Sequence, residues 1–337
     1  MPKIAVLGAG GFGIALALLS CRNGADTTLF SPFPEEIALL SENREHEKLL
    51  PGIHIDSNIQ LSCDPSDVYY SDYAVVAVPS FAVRGLLKQV PLSPDTIIVN
   101  VAKGLEEGTH KRLSCVIKEE CPDNEVVVLS GPSHAEEVAR QIPTTVVAAS
   151  AYMHAAKCVQ DAFMNASFRI YVNDDLIGVE LGGALKNVIA LAAGICDGLQ
   201  IGDNPKAALM TRGISEIARL GVALGAKTET FGGLSGIGDL IVTCTSEHSR
   251  NHLAGKLIGQ GVSAADAIAQ VGKTVEGYKT AKVAYELSQI AGVEMPIVQV
   301  IYQVLYEGKT PQMGMAELMT RDKKHEMETT WIHASAE

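Results

Sequence analysis

The stretch KIAVLGAGGFGIALALLSCRN, Lys3 to Asn23, decides how the rest of the chain is read. Lys3 to Gly8 is a short apolar run of strand character, Ile14 to Asn23 has helical character, and Gly8-Ala9-Gly10-Gly11-Phe12-Gly13 lies between them. Three glycines spaced G-x-G-x-x-G carry little information alone, but a strand before them and a helix after them lift the pattern above chance. Gly8, Gly10 and Gly13 allow a tight turn, and they let backbone N–H groups approach a pyrophosphate at the positive end of the helix. A glycine turn that binds nothing is the competing reading. The strand, the helix and the N-terminal position favour a dinucleotide site.

Outward from that stretch, strand-like runs alternate with helical ones, as in KIAVLG (Lys3 to Gly8), DTTLF (Asp26 to Phe30), YAVVAV (Tyr73 to Val78), TIIVNVA (Thr96 to Ala102), EVVVLS (Glu125 to Ser130), TTVVAAS (Thr144 to Ser150) and FRIYV (Phe168 to Val172). Most are continuously apolar, as strands buried on both faces of a parallel sheet must be. A doubly wound α/β domain with a parallel sheet is expected. After Asn173-Asp174-Asp175 helical patterns take over at Leu176 to Cys196, Asn204 to Leu224, Ser235 to Cys244, Arg250 to Gly259, Ser263 to Val271, Val275 to Ala291 and Met295 to Glu307. The change of period divides the chain into a dinucleotide-binding domain, 1–173, and an all-helical substrate and catalytic domain, 174–337. The last dozen residues are polar and charged, and a frayed tail is expected there.

A chain of 337 residues, 47% hydrophobic and 20% charged, has room for two such cores. The formal net charge of −12 gives no electrostatic case for nucleic acid or acidic lipid. It also makes the few cations in uncharged surroundings the natural contacts for an anionic ligand. Apolar runs such as Asn187 to Cys196 are broken by glycine or charge before the roughly 18 residues that a membrane span needs, so no integral membrane segment is expected. MPKIAVLGAG has no signal-peptide pattern, and a cytoplasmic location is expected. The seven cysteines form no C-x-x-C pair and no Cys/His cluster, which argues for reduced thiols and no metal site.

The second strand ends Leu29-Phe30-Ser31-Pro32, without the carboxylate that would grip the ribose of NAD or the arginine that would accommodate NADP. Glu35 and Glu36 follow Pro34 and read as solvated residues of a first helical turn. With no carboxylate guarding the 2′ position, both NAD(H) and NADP(H) are expected to bind.

Lys103 follows a core strand, where open α/β sheets present residues to ligands; a lysine snorkelling into water is the alternative. Ser133, in Ser130-Gly131-Pro132-Ser133-His134, reads as a helix cap beside the cofactor, and His134 as a minor acid–base candidate. In VELGGALKNVIALAAG, Val179 to Gly194, apolar and small residues cover every helical face, and Gly182 and Gly183 each cost about 1 kcal/mol against alanine. Close packing must offset that cost. Lys186 sits in the middle of this helix, where a buried amine is expensive unless it is paired or neutral, and it is the catalytic candidate. Asp239 and Thr243 share a helix face at i and i+4, although a plain first-turn acid is a real competitor. Ser249-Arg250-Asn251 opens a helix with a hydroxyl, a guanidinium and free N–H groups, a set suited to phosphate.

GAGGFG, NVAKGLE, SGPSHAEEVA, VELGGALKNVIALAAG, GLSGIGDLIVTCTSEHSRN, VEGY and GVEMPI, in this order, resemble the bacterial-type NAD(P)-dependent sn-glycerol-3-phosphate dehydrogenase family over most of the chain. The resemblance implies a Rossmann-type domain followed by an all-helical one. It also implies interconversion of dihydroxyacetone phosphate and sn-glycerol 3-phosphate, which supplies glycerophospholipid synthesis. It places the catalytic lysine on Lys186 and substrate contacts on Lys103, Gly131, Ser133, Asp239, Ser249, Arg250 and Asn251. Cofactor contacts fall on Gly11, Phe12, Lys103, Ala135, Arg250 and Glu276. Two positions depart from the family pattern. Gly11 stands where a serine is common, and Ser31-Pro32 where a basic residue or histidine is common. In the implied reduction Lys186 donates the proton, Lys103 holds substrate and acts on the amine by charge, and Asp239, Thr243 and Asn187 orient the amine. A sibling dehydrogenase for another acid and a non-catalytic dinucleotide sensor are the alternatives. Fold analogy suggests a homodimer through the helical half.

Overall fold

Continuous apolar strands need cover on both faces, and the first half of the chain supplies it. The structure, a computed structural model, describes residues 1–323, 325 and 326. The chain divides into two compact units, one of residues 1–103 and 111–176, the other of residues 104–110 and those from 177 onward.

The first unit is built on eight strands: β1 (Lys3–Leu7), β2 (Asp26–Phe30), β3 (Gln60–Ser62), β4 (Tyr73–Val76), β5 (Ile97–Asn100), β6 (Val126–Ser130), β7 (Thr144–Ala149) and β8 (Phe168–Asn173). They form one sheet in the order β3-β2-β1-β4-β5-β6-β7-β8. Its helices are α1 (Gly11–Arg22), α2 (Pro34–Asn43), α3 (Val83–Leu87), α4 (Leu113–Glu120), α5 (Ala135–Ala139) and α6 (Met153–Phe163). The pleat sorts the side chains of the central strands between two cores. Ile4, Val6, Val75, Val99 and Val127 face the core shared with α1 and α6. Ala5, Leu7, Ala74, Val76 and Ile98 face the core shared with α3 and α4.

All seven expected strands are present, within two residues at their ends. The sheet is not wholly parallel, however, because β7 runs antiparallel to β6, with Val128 opposite Ala149 and Ser130 opposite Val147. The link between them holds only the five-residue α5, about 7 Å long and too short to carry the chain back along a strand of about 17 Å. The eleven-residue α6 does so, and β8 returns parallel to β7.

From Leu176 onward the named elements among the described residues are helices: α7 (Leu176–Gly198), α8 (Asp203–Ala223), α9 (Asp239–Thr245), α10 (Arg250–Gly259), α11 (Ala264–Val271), α12 (Glu276–Ala291), α13 (Pro296–Tyr306) and α14 (Pro311–Met319), with short 3₁₀ and π turns between α8 and α9; residues 104–110, which also belong to this unit, form turns. The expected frayed tail lies, but for Glu326, outside the described residues. Every residue of α7 from Gly178 to Cys196 is buried, as its all-round apolar pattern requires. Contrary to the run-length expectation, this helix is long and apolar enough to cross a membrane, yet 89% of its most apolar window is buried inside the protein. It is the core helix of the unit.

The glycines of α7 are where other backbones approach. A Cβ on Gly182 would stand 2.6 Å from the Ser235 carbonyl oxygen, one on Gly194 2.0 Å from that of His252, and one on Gly198 2.2 Å from that of Lys256. On α10 the contact is reciprocal, since a Cβ on Gly255 would lie 2.0 Å from the Leu191 oxygen and one on Gly259 2.4 Å from the Ile195 oxygen. This packing offsets the helix-propensity cost of the glycines. Gly255→Ala is therefore expected to destabilise the protein by about 1–3 kcal/mol despite alanine's better helix propensity, read as a lower Tm in thermal unfolding. An unchanged or higher Tm would show that the two helices separate freely.

Glu216 is buried and accepts N–H bonds from Ile297 and Val298, the first turn of α13. Burial pushes its carboxyl up to about 7, against those N–H bonds and the Arg219 and Arg321 charges. The folded state thus holds a proton that the unfolded chain releases above its ordinary value of 4.5, and stability falls as pH rises from there to about 7. Glu216→Gln, neutral throughout, is expected to gain Tm relative to the parent between about pH 5 and about pH 8. A constant Tm difference would show that Glu216 titrates normally.

Candidate active site

In the first unit the glycine loop closes against β2, with Gly8 N donating to Phe30 O at 2.8 Å. Gly8 has φ 125°, a left-handed backbone, and a Cβ on it would stand 2.7 Å from Ala77 O. A Cβ on Gly13 would lie 1.9 Å from Gly8 O, so α1 rests directly on the loop. Around Gly10, by contrast, nothing comes within 4 Å of where a Cβ would be. Gly10 is also the N-cap of α1, without a side-chain cap bond and with no acid in the first turn. Tight turn, open backbone and close helix packing are the three things a pyrophosphate loop requires, and the residues present fit a dinucleotide. Phe12 packs on the core beneath, and Ala135 lies 3.7 Å from where a Gly11 Cβ would be.

Lys103 lies just past β5. Its Nζ donates to the Gly131 carbonyl at 2.8 Å, and Ser133 Oγ donates to the same oxygen at 2.9 Å. Three residues expected at the site thus meet at one atom. Gly131 has φ 134°, and a Cβ on it would press on Val146 Cα at 3.0 Å. Ser133 is not the helix cap that its position suggested; His134 occupies the N-cap of α5, with no side-chain cap bond.

Glu35 is exposed as expected, but Glu36 is not simply solvated. Its carboxylate turns back to the buried Ser31 hydroxyl, which donates to Glu36 Oε2, and His46 Nε2 lies 3.6 Å from Glu36 Oε1.

In the second unit Lys186 is 6% exposed, and its Nζ donates to Asp239 Oδ1 at 2.7 Å and Thr243 Oγ1 at 2.5 Å. Thr243 Oγ1 in turn donates to the Asp239 carbonyl at 2.6 Å. The Asp239 carboxylate compensates the hydration that the buried ammonium loses, and it fixes the direction of the amine. Burial pushes the adjacent Cys244 thiol up to about 12, so it stays protonated beside the pair. The i, i+4 spacing on α9 therefore serves one purpose: both side chains grip one amine.

Asn187, the next residue of α7, accepts from Asn251 Nδ2 at 2.9 Å, and Asn251 Oδ1 accepts from Gly277 N at 2.8 Å. This chain joins α7 to the start of α10 and to the start of α12, where Glu276 lies. Ser249 caps α10 by accepting from His252 N at 3.2 Å, and Arg250 is exposed at its first position. Lys186, Asp239, Ser249, Arg250, Asn251 and Glu276 thus lie on helices tied to adjacent residues of α7. A further brace went unread in the sequence. His252 Nε2 meets Asp197 Oδ2 at 2.8 Å and Lys206 Nζ meets Asp197 Oδ1 at 2.9 Å, fastening the first turns of α10 and α8 to the last turn of α7. Burial pushes Asp197 up, but its bonds to Lys206 and His252 outweigh that and leave it below its ordinary value. Separations of 55 and 9 residues give such a brace no local signal.

Residues 3–156 match the family described as NAD-dependent glycerol-3-phosphate dehydrogenase N-terminus, and residues 175–316 match the corresponding C-terminus. This chain belongs to the NAD-dependent glycerol-3-phosphate dehydrogenase family. It is 53% identical over 329 residues to the glycerol-3-phosphate dehydrogenase [NAD(P)+] of Clostridium perfringens, covering 97% of this chain and 99% of that one. The enzyme of the same name from Geobacillus thermodenitrificans is 52% identical over 334 residues, with 97% of each chain covered. The crystal structure of glycerol-3-phosphate dehydrogenase from Coxiella burnetii superimposes with a TM-score of 0.91 at 36% identity, covering 95% of this chain and 99% of that one. As in other members of the glycerol-3-phosphate dehydrogenase family, a Rossmann-type unit is followed by a helical one.

Proposed function

We propose that the chain interconverts dihydroxyacetone phosphate and sn-glycerol 3-phosphate with NAD(H) or NADP(H), and that Lys186 is the proton donor to the ketone oxygen. Full-length similarity to relatives of that name supports the activity. The observation that carries the assignment of Lys186 is its burial against Asp239 and Thr243 on a helix with no polar face. A nicotinamide dinucleotide held on the Gly8 to Gly13 loop would supply the hydride to C2 of the substrate, or accept it from there. Lys186 Nζ gives its proton to the oxygen as the ketone is reduced, stabilising the developing alkoxide, and takes a proton back in oxidation. Asp239 and Thr243 hold the amine in one direction.

Gly8, Gly10, Gly11, Phe12 and Gly13 form the pyrophosphate loop, and Ala135 flanks it. Lys103, Gly131 and Ser133 bind substrate, with Lys103 also a cofactor contact. Ser249, Arg250 and Asn251 bind the phosphate of the substrate, while Arg250 and Glu276 also serve the cofactor. On this reading residues 1–173 are the cofactor domain and 174–337 the substrate and catalytic domain. The enzyme is a cytoplasmic homodimer that supplies glycerol 3-phosphate to glycerophospholipid synthesis. The decisive experiment follows absorbance at 340 nm with NADH or NADPH and dihydroxyacetone phosphate, with a 3-oxo acid in parallel. Oxidation of either cofactor by dihydroxyacetone phosphate alone is expected. Activity confined to the 3-oxo acid would assign a sibling dehydrogenase, and binding without turnover a sensor.

A further inference from the structure

The Gly8 to Phe30 hydrogen bond sets the carboxyl end of β2 against the glycine loop, and the residue after Phe30 is Ser31. In this class of fold the acid that distinguishes the two dinucleotides stands at that strand end. Here the strand end itself has no acid, but Glu36 is brought to it. Ser31 is buried, receives the Phe33 N–H at 3.3 Å and donates to the Glu36 carboxylate, so the hydroxyl is oriented and the acid is fastened. The start of α2, with Phe33 as a cap lacking a side-chain bond, would otherwise attract a phosphate. Instead Glu35 and Glu36 lie in its first turn. On its other side His46 Nε2 lies 3.6 Å from Glu36 Oε1.

We propose that Glu36, positioned by Ser31, sets the cofactor preference of this chain: its carboxylate accepts the ribose 2′-hydroxyl of NAD(H) and repels the 2′-phosphate of NADP(H). The inference rests on the proposed cofactor site. Both dinucleotides bind, NADH the more tightly.

The test measures Kd for NADH and for NADPH by nicotinamide fluorescence at about pH 8, for the full chain and for Glu36→Gln, with no substrate and no turnover. The parent is expected to bind NADH about tenfold more tightly than NADPH, a modest penalty for one like-charge pair near a surface. Glu36→Gln is expected to narrow that ratio severalfold, chiefly by improving NADPH. In the parent, added salt should narrow it too, because the repulsion is screened, and that arm needs no variant. Equal affinities in the parent, or a ratio indifferent to both Glu36→Gln and salt, would overturn the proposal. Failure of the parent to bind NADH at all would overturn the cofactor site and the proposal with it.

Discussion

Lys186→Ala is expected to lower turnover on dihydroxyacetone phosphate by about 10²–10⁴-fold at saturating substrate, the usual contribution of a positioned general acid. The amine has two roles, and the substitution exposes both. It leaves Asp239, 1% exposed, without its compensating charge, and a buried pair broken on one side costs about 3–5 kcal/mol. The loss of rate must therefore be read alongside a melting curve and NADH binding. Lys186→Met combined with Asp239→Asn removes both charges at once and is expected to recover most of the stability and none of the turnover. Near-parental kcat in either variant would take the proton-donor role away from Lys186.

Arg250→Ala is expected to cost about 2–4 kcal/mol in kcat/KM on dihydroxyacetone phosphate and little on unphosphorylated dihydroxyacetone. Arg250 is the first residue of α10, exposed, with no acid in that first turn, in a chain of net charge −12. A guanidinium there adds charged donors to the helix's own N–H groups. Asn251 is buried, and its amide already bonds Asn187 and Gly277 N, so it holds the start of α10 in place. Equal impairment on both ketones would move the phosphate to Lys103 or Ser249 and leave Arg250 acting on the cofactor or the fold.

The parts of this fold that repeat locally could be read in the sequence. KIAVLG, TIIVNVA and EVVVLS are buried on both faces, so their composition alone marks them as strands, and Val179 to Gly194 reveals a core helix because every face is apolar or small. What could not be read depends on partners distant in sequence. β3 is three residues long, too short to show a period, and the reversal of β7 depends on the length of the helix before it rather than on its own residues. At the site, the i, i+4 pair of Asp239 and Thr243 pointed to one helix face, and a buried lysine demanded a partner. Nothing within α7 itself paired the two, and it was the resemblance to the dehydrogenase family that set Asp239 and Thr243 on the Lys186 amine, as the structure has them. Glu36 was misread because Pro34 separates it from the strand in sequence, whereas one helical turn returns it to the Ser31 hydroxyl.

The most direct measurement is the turnover of Lys186→Ala as a function of added methylamine. Removal of the lysine side chain leaves in place Asp239 Oδ1 and Thr243 Oγ1, partners of its ammonium. A small ammonium ion that occupies their position restores both the charge pair and the acid. If Lys186 delivers the proton, kcat rises with methylamine concentration until the site saturates, and Tm rises with it. If Tm rises while kcat stays flat, the ammonium is a structural partner of Asp239 and the proton comes from elsewhere.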